Sequence, residues 1–533
     1  MRDREWDPAK LEVFHNLLSE VAEEMGVVLC RSGHSSNIKE RRDYSCAIFD
    51  ADGLLVAQAA HIPVHLGALP ASMRELVEWL EKRGERLGEG DVIMWNDPFH
   101  GGTHLPDITM AAAVHVEGRL LGYVVNRAHH ADVGGRSPGS MPLGEEIFQE
   151  GIIIPMLHYA RGGIVEEETE RLLLANVRTP VERKGDLRAQ MGALMVGEKR
   201  LREIAGARGL PDTVFYMANL MDYGETVAAG ALSSVREGEY AFRDYMDDDG
   251  KGELDIEIKV RIAFRDARME VNFEGTSGEV DGPINCPRSV TMSAVYYVLR
   301  CLLPPDAPFN QGCLRRVTLR IPRFSLLDAS WPRAVAGGNV ETSQRVVDVL
   351  LGALSRAVPD RIPAASYGTM TNVAVGGSYP RPFAYYETIA GGCGARPDKN
   401  GLDATHNHMT NTMNTPVEAL EYSYPLRVLR YEIARGTGGT GLYRGGDGIR
   451  KSMQFLEDAT LTIISDRRRR PPYGLEGGGA GKTGGDRLYE KDGRSEDLPS
   501  KVEIKVNAGD VLEIRTPGGG GYGRPGTDGE SGG

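Results

Sequence analysis

Histidine and carboxylate side chains are concentrated at the two ends of one stretch, residues 96–135. The first end contains His104 and Asp107, and the second contains His129 and His130. Imidazole nitrogens and carboxylate oxygens are the ligands that Zn²⁺, Mn²⁺ and Fe²⁺ accept in proteins. A metal ion held by three such ligands, with one coordination position left open, can activate a water molecule at neutral pH. The residue types therefore predict a divalent metal site with hydrolytic chemistry.

A β-hairpin between the two ends would bring them together. Residues 108–116 and 120–126 are rich in apolar and β-branched side chains, and Glu-Gly-Arg between them supplies a turn. Such a hairpin returns the second end to the side of the first. Because successive strand residues point to opposite faces, only one of His129 and His130 should face the cation, and we favour His130.

The alternative is that these histidines are packed or solvated, which is the usual role of a lone histidine. Their distribution argues against it. Ten of the twelve histidines lie between His15 and His158, and none lies between His158 and His406. A metal site at this stretch is therefore the better interpretation.

Three neighbouring residues could extend the site. Asp43 follows two arginines in a strand predicted over residues 40–50, where it could complete the coordination sphere or form a surface ion pair. His61 and His65 lie in an extended segment before a predicted helix at residues 70–83. They could line a pocket, although packing is the simpler role.

Residues 403–418 form a second polar concentration, rich in asparagine and threonine. So many side-chain amides and hydroxyls are poor core material. The segment is either a solvated loop or a lining that hydrogen-bonds a substrate amide or phosphate.

Two short motifs are misleading. Residues 135–139 match G-x-S-x-G, but Pro138 has no N–H to donate to an oxyanion, which excludes a serine hydrolase. Residues 477–483 resemble a P-loop, but Glu476 replaces its first glycine and neither a strand nor a helix is predicted beside it. We therefore expect no ATP site there.

Composition narrows the class of protein. A formal net charge of -13 and a pI near 5.5 argue against nucleic acid or an anionic membrane as partner. No signal peptide and no apolar run of about 18 residues is present, which favours a cytoplasmic protein. The six cysteines show no C-x-x-C pairing, as expected of reduced thiols.

The length of 533 residues predicts more than one domain, and the 67 glycines, about twice the average share, indicate loop-rich β structure. Asp7-Pro8 predicts the start of a helix. We expect an α+β, multi-domain chain with mixed β-sheets, packed helices and a β-rich, glycine-rich C-terminal region. The predicted divisions are 1–247, 248–425, 426–525 and a disordered tail, 526–533.

Seven segments, spread over nearly the whole chain, together resemble the hydantoinase B family. They are ERRDYSC at 40–46, HIPVHLG at 61–67, NDPFHGGTHLPD at 96–107, AHHADVGG at 128–135, NTMNTPVE at 411–418, YRGGDG at 443–448 and TPGGGGYG at 516–523.

The resemblance implies one component of a two-component amidohydrolase, acting as a heterodimer or heterotetramer. In that family ATP and Mg²⁺ are bound by an actin-like A subunit, which phosphorylates the carbonyl oxygen of a cyclic amide, and the B component carries a metal that delivers water. The two modules are fused in 5-oxoprolinases. His104, Asp107 and one of His129 and His130 match the metal-binding positions, and Asp43 is a fourth candidate.

Further roles follow as hypotheses from this assignment. His100 or Asp132 would shuttle protons. The loop would hold the substrate, and its candidate contacts are Asn411, Thr412, Asn414 and Glu418. Two alternatives stay open: a subunit of a ketone carboxylase, such as acetone or acetophenone carboxylase, and a non-catalytic scaffold for the ATP-binding partner.

Overall fold

The computed structural model describes residues 5–377 and 381–525. The predicted tail, 526–533, lies outside the described residues. The predicted mixed fold is confirmed: helices pack on four β-sheets. The helices are α1 Pro8–Ser32, α2 Ser36–Lys39, α3 Pro63–Leu66, α4 Ala68–Arg83, α5 Glu167–Ala175, α6 Pro180–Arg208, α7 Leu210–Ser233, α8 Arg288–Leu302, α9 Gln311–Leu314, α10 Ser343–Leu354 and α11 Val417–Ser423.

The first sheet has seven antiparallel strands in the order β2-β1-β5-β4-β3-β6-β7. Its strands are β1 Tyr44–Asp50, β2 Leu55–Gln58, β3 Val92–Trp95, β4 Asp107–Val116, β5 Arg119–His129, β6 Leu157–Arg161 and β7 Ile164–Val165. The predicted hairpin is confirmed as β4 and β5, and it occupies the centre of the sheet.

Helices cover both faces of this sheet. The predicted α1 begins where Asp7 accepts a hydrogen bond from the N–H of Ala9, with Pro8 at its first position. It packs with α6 and α7 on one face, and α4 buries Leu69, Met73 and other apolar residues on the opposite face. The centre of the hairpin is therefore buried on both faces, and this packing positions the residues at its ends.

The second sheet runs β11-β10-β9-β8 and packs against α8 and α10. Its strands are β8 Gly238–Asp248, β9 Leu254–Arg265, β10 Arg268–Asn272 and β11 Val317–Arg320. Residues 247–252, with the sequence DDDGKG, end β8 and lead through a turn towards β9. A short π-helix, Gly338–Thr342, leads into α10.

Two further sheets form the C-terminal part around a common apolar core. The orders are β13-β12-β16-β19 and β14-β15-β20-β17-β18. The strands are β12 Asn372–Gly377, β13 Phe383–Thr388, β14 Leu426–Ala434, β15 Gly448–Phe455, β16 Ala459–Ile464, β17 Gly485–Tyr489, β18 Ser495–Leu498, β19 Lys501–Val506 and β20 Val511–Arg515. β12 begins only at Asn372, because residues just before it bond instead to glycine-rich segments.

Glycine-rich segments pack backbone against backbone beside these sheets. Gly519, Gly520 and Gly521 donate their successive N–H groups to three different segments, at the carbonyls of Gly446, Ala365 and Gly479. An extended chain with three residues per turn directs its amides in this way. We call residues 518–521, together with the segments around Gly446, Ala365 and Gly479 to which they bond, the glycine bundle. It accounts for much of the glycine excess.

A buried ion pair joins the two C-terminal sheets and predicts how stability depends on pH. Lys451 on β15 and Tyr385 on β13 donate to the Glu387 carboxylate, which is fully buried. Burial alone would raise the pKa of Glu387, but Lys451 and Tyr385 outweigh it and hold the pKa at about 2. The pair therefore stabilises the fold above the ordinary glutamate pKa and loses this contribution as pH falls from about 4.5 towards 2.

We expect Lys451→Met alone to lower the free energy of unfolding by about 3–5 kcal/mol, because it leaves a buried carboxylate without its cation. The double variant Glu387→Gln, Lys451→Met should recover part of this loss and show a smaller fall in stability between pH 4.5 and 2. Urea unfolding at several pH values measures both effects. An acid dependence that is identical in the wild type and the double variant would contradict this role.

Candidate metal centre

Three of the predicted ligands meet at one end of the central hairpin. Asp107 is the first residue of β4 and His129 the last of β5, and the two are paired directly across the strands. His104 lies in the loop that enters β4. One ligand atom from each residue lies within 4.8 Å of the others, and all three residues are buried.

The atoms that face one another in this cluster form no hydrogen bond. His104 Nε2, His129 Nε2 and Asp107 Oδ1 are buried without a hydrogen bond. An unsatisfied buried polar group costs about 1–3 kcal/mol, so three together indicate a missing ligand. Two imidazole nitrogens and one carboxylate oxygen fit Zn²⁺, Mn²⁺ or Fe²⁺.

The other oxygen of Asp107 is already occupied. His65 Nε2 lies 3.3 Å from Asp107 Oδ2, and Thr103 donates its hydroxyl to the same oxygen. Burial alone would raise the pKa of Asp107, but His104 and His65 outweigh it and hold the pKa well below its usual range. Asp107 is therefore ionised, and its free oxygen Oδ1 is turned towards His104, at 3.4 Å from Nε2.

His129 is held in place from two sides. Its ring stacks on Tyr386, with centroids 4.6 Å apart and planes 10° apart. Its Nδ1 lies 2.9 Å from the Asn37 carboxamide nitrogen, and Asn37 Oδ1 has no partner. Burial, followed by His104, lowers the pKa of His129 well below its usual value, so the ring is neutral. A carboxamide turned by 180° would accept from Nδ1–H and leave Nε2 free for a cation.

This geometry predicts that Asn37 sets the tautomer of His129. Asn37→Ala should weaken metal binding by about 10–100-fold, the usual effect of removing a hydrogen bond that supports a ligand. Asn37→Asp should retain most of the affinity, because its carboxylate can only accept from Nδ1–H. Competition of each purified variant with a metallochromic indicator measures the dissociation constant. Equal weakening in both variants would contradict the tautomer role.

Asp43 lies close to the cluster and outside the group of three. Its carbonyl accepts from the N–H of His129, and its carboxylate is 3.5 Å from buried Arg41. Burial raises its pKa, Arg41 opposes this and Asp107 adds to it. Asp43 lines a cavity of about 20 Å³ together with Asp107 and His129. The ion pair is thus buried rather than on the surface, and a role as fourth ligand stays a prediction.

The preference for His130 over His129 is corrected by the structure. His130 points to the opposite face of β5, where its Nε2 is 2.9 Å from Gln190 Oε1 on α6. As predicted, the two histidines point to opposite faces, so that only one of them lies at the cluster. The prediction chose the wrong face, because His129 and not His130 lies there.

The structure places neither predicted proton shuttle in the cluster. His100 is largely exposed, and its Nδ1 is hydrogen-bonded to Asp97 at 2.8 Å. Asp132 is buried and accepts from the backbone N–H groups of Gly134 and Arg178 and from the Arg178 guanidinium. Asp132 therefore orders the loop after β5.

The predicted substrate loop folds over the cluster, and its residues have different environments. Thr412 and Asn414 bond to Thr388 at the end of β13. Asn411 is exposed and donates to the carbonyl of His61, whereas Glu418 is exposed in the first turn of α11. Thr410 and Met409, which the sequence did not single out, line the small cavity.

Sequence patterns did not predict that His65, Tyr386 and Asn37 would contact the cluster. His65 was expected to pack, but it contacts Asp107 directly. The HIPVHLG motif was a usable signal for His65. Tyr386 lies more than 250 residues along the chain from His129, in a segment with no distinguishing pattern.

The family profile described as hydantoinase B/oxoprolinase matches residues 7–525. The chain belongs to the hydantoinase B/oxoprolinase family. Its relatives include an uncharacterised protein of Methanocaldococcus jannaschii, 40% identical over 97% of this chain and 91% of that protein. 5-Oxoprolinase 1 of Arabidopsis thaliana is 41% identical over 97% of this chain and 42% of that protein. The chain thus spans less than half the length of that oxoprolinase.

Two solved structures of similar fold align with almost the whole of this chain. The ATP-dependent caprolactamase of Pseudomonas jessenii has a TM-score of 0.91 and 28% identity, covering 98% of this chain and 93% of that chain. Acetone carboxylase has a TM-score of 0.91 with 20% identity, covering 98% and 76%, which shows a shared fold. Within residues 5–377 and 381–525, no helix combines the length and apolarity needed to cross a bilayer.

Proposed function

We propose that this chain is the metal-bearing component of an ATP-dependent cyclic amidohydrolase. The single observation that carries the proposal is the set of three buried ligand atoms without a hydrogen bond, on His104, Asp107 and His129, in a chain of this family. The names of the relatives, 5-oxoprolinase and caprolactamase, point to cyclic amides as the substrate class.

The chemistry requires two activations. Amide resonance makes a lactam carbonyl a poor electrophile, and O-phosphorylation removes that resonance and supplies a leaving group. A divalent cation held by His104, Asp107 and His129 would supply the Lewis acidity that activates water at neutral pH. Thr103 and His65 orient the Asp107 carboxylate, and Asn37 and Tyr386 orient His129.

Two other parts of the chain complete the site. Asp43, whose pKa is raised by burial, lines the small cavity and is placed to hold a proton released there. The loop that carries Thr410 and Met409 covers the same cavity, and Met413 N–H bonds the carbonyl of Arg41. This cover limits access of bulk water.

ATP would be used on a partner, for which we propose an actin-like A subunit in a heterodimer or heterotetramer. The P-loop-like segment 477–483 lies in the glycine bundle, where the N–H groups of Gly479, Gly481 and Lys482 bond to backbone carbonyls. Those amides are therefore committed to the fold and are not free to surround phosphates. A relative from a Pseudomonas species, provisionally named as the B component of a D-/L-hydantoinase, is 32% identical over 97% of this chain and 90% of that protein.

Co-expression with an A-type subunit tests the proposal. The purified complex should contain about one divalent metal per chain and open a cyclic amide in the presence of ATP. His104→Ala should still co-purify with the partner but lack metal and activity. Activity that depended on bicarbonate would replace the hydrolase with a carboxylase, and full activity in His104→Ala would overturn the metal role.

A further inference from the structure

The cavity at the cluster is too small to hold a substrate. Its volume of about 20 Å³ exceeds the roughly 10–15 Å³ that one water molecule needs, but only just. It can accommodate a water molecule or an ion, but a lactam ring requires several times this space. The ring must therefore be held in an adjoining volume.

A second cavity of about 400 Å³ adjoins the first. Small-molecule sites are typically about 300–1,000 Å³, so its size is adequate for a cyclic amide. The two cavities share Ile62 and His65 as wall residues. A larger surface groove of about 790 Å³, around Arg136 and Asp458, shares no wall residue with the small cavity. We call the 400 Å³ cavity the chamber.

His65 is the polar part of the shared wall. Its Nδ1 is 2.9 Å from the Ser45 hydroxyl, which also lines the chamber, and its Nε2 is 3.3 Å from Asp107 Oδ2. One imidazole thus touches a chamber residue on one side and a candidate metal ligand on the other. Together with Ile62, this side chain separates the two volumes.

The chamber reaches from the surface to buried residues. Ala60, Asp306 and Asn411 at its rim are exposed, whereas Ser45 and His65 at its inner end are buried. The rim residue Asn411 belongs to the loop that covers the metal cluster. The chamber is therefore accessible from solvent and ends beside the cluster.

The Arg300 guanidinium in the lining donates to the carbonyls of Pro304 and Pro305, and the rest of the lining fits a small neutral ring with one polar edge. Val56, Ala57, Leu69 and Phe309 offer apolar surface to methylene groups. Ser45, Tyr297 and Asn411 bring side-chain oxygens that can accept from an amide N–H, in addition to the hydrogen bonds that they make within the protein. Burial lowers the pKa of His61 to about 4, so that this lining residue is neutral at pH 7.

We infer that the chamber binds the cyclic amide, with its carbonyl at the inner end beside His65 and the cluster. The inference rests on the proposed function and adds to it the place where the ring is held. It assigns Ser45, Tyr297 and Asn411 to substrate binding and His65 to positioning.

A tryptophan on α1 tests the inference. Ser19 is half-buried and lines the chamber, whereas Asn16, one helical turn earlier, is exposed. Ser19→Trp should fill part of the chamber and weaken binding of 2-pyrrolidinone by about tenfold or more, with metal content unchanged. Asn16→Trp, the matched control, should bind the lactam as the wild type does. Saturation-transfer NMR with millimolar 2-pyrrolidinone measures binding to each metal-loaded chain.

A second variant keeps the test decisive if Ser19→Trp does not fold. Asn411→Trp narrows the exposed rim and should also raise the lactam dissociation constant and the KM for ring opening by about tenfold. Lactam binding within twofold of the wild type in the folded variants would overturn the chamber assignment.

The two proposals fail in different ways. Ring opening in the wild-type complex with an unchanged KM in Ser19→Trp and Asn411→Trp would overturn the chamber and leave the hydrolase standing. Lactam binding that both variants weaken, in a wild-type complex that never opens a ring with ATP, would support the chamber as a binding site and overturn the hydrolase.

Discussion

His129→Ala is expected to abolish both metal binding and ring opening, whereas His130→Ala should retain the metal. In the proposed site His129 is one of three metal ligands, so without it the affinity for metal should fall by more than the roughly 10–100-fold that loss of a supporting hydrogen bond causes. His130 faces α6 and contacts Gln190, so its loss affects packing alone. Metal analysis of the purified chains and an ATP-dependent ring-opening assay measure the two effects.

The control for this pair lies on the same hairpin. His115 is on β4 near the opposite end from Asp107, and His115→Ala should bind metal with wild-type affinity. Equal metal loss in His129→Ala and His130→Ala would show that the hairpin register described above is wrong. Full metal content in His129→Ala would remove His129 from the ligand set.

One β-bulge determines which histidine lies at the cluster. Because the sequence pattern does not reveal this bulge, it could not predict the correct histidine. At the turn, Val116 pairs with Arg119, but the register shifts between Val114 and His115. If the turn register continued unbroken, Asp107 would face Ala128, and His130 would share its face. The bulge adds one residue to β5 and places His129 opposite Asp107 instead. Periodicity predicted the hairpin, and bulges leave little trace in periodicity.

Local patterns predicted local structure well and distant partners poorly. The α1 start, the hairpin and the meeting of His104 with Asp107 depend on neighbouring residues or on one tight turn. Tyr386 and Asn37 reach His129 only after separate parts of the chain have packed together. Such contacts require the tertiary arrangement, which residue spacing does not supply. His100 and Asp132 show the opposite case. They are close to the predicted ligands in sequence, but the fold places them outside the cluster.

The glycine excess shows a similar limit. Composition predicted loop-rich β structure, and the sheets of the C-terminal part agree with it. Composition could not predict that glycines from distant segments would touch one another. At Gly446 and Gly519, a Cβ would lie 1.9 Å from the Leu402 carbonyl oxygen and 2.0 Å from that of Cys393. These glycines are required for close approach of two backbones rather than for flexibility.

Gly519→Ala is therefore expected to destabilise the chain by about 3 kcal/mol or more, at or beyond the upper end of ordinary overpacking. The new Cβ would meet the carbonyl oxygen and carbon of Cys393 at 2.0 and 2.3 Å, and these are backbone atoms that cannot rotate away. Gly485→Ala is the matched control, because its Cβ would meet nothing within 4 Å, and it should be neutral or slightly stabilising. Urea unfolding of both variants measures the difference. Equal stability would mean that the glycine bundle can separate its segments at little cost, and the glycine excess would then need another explanation.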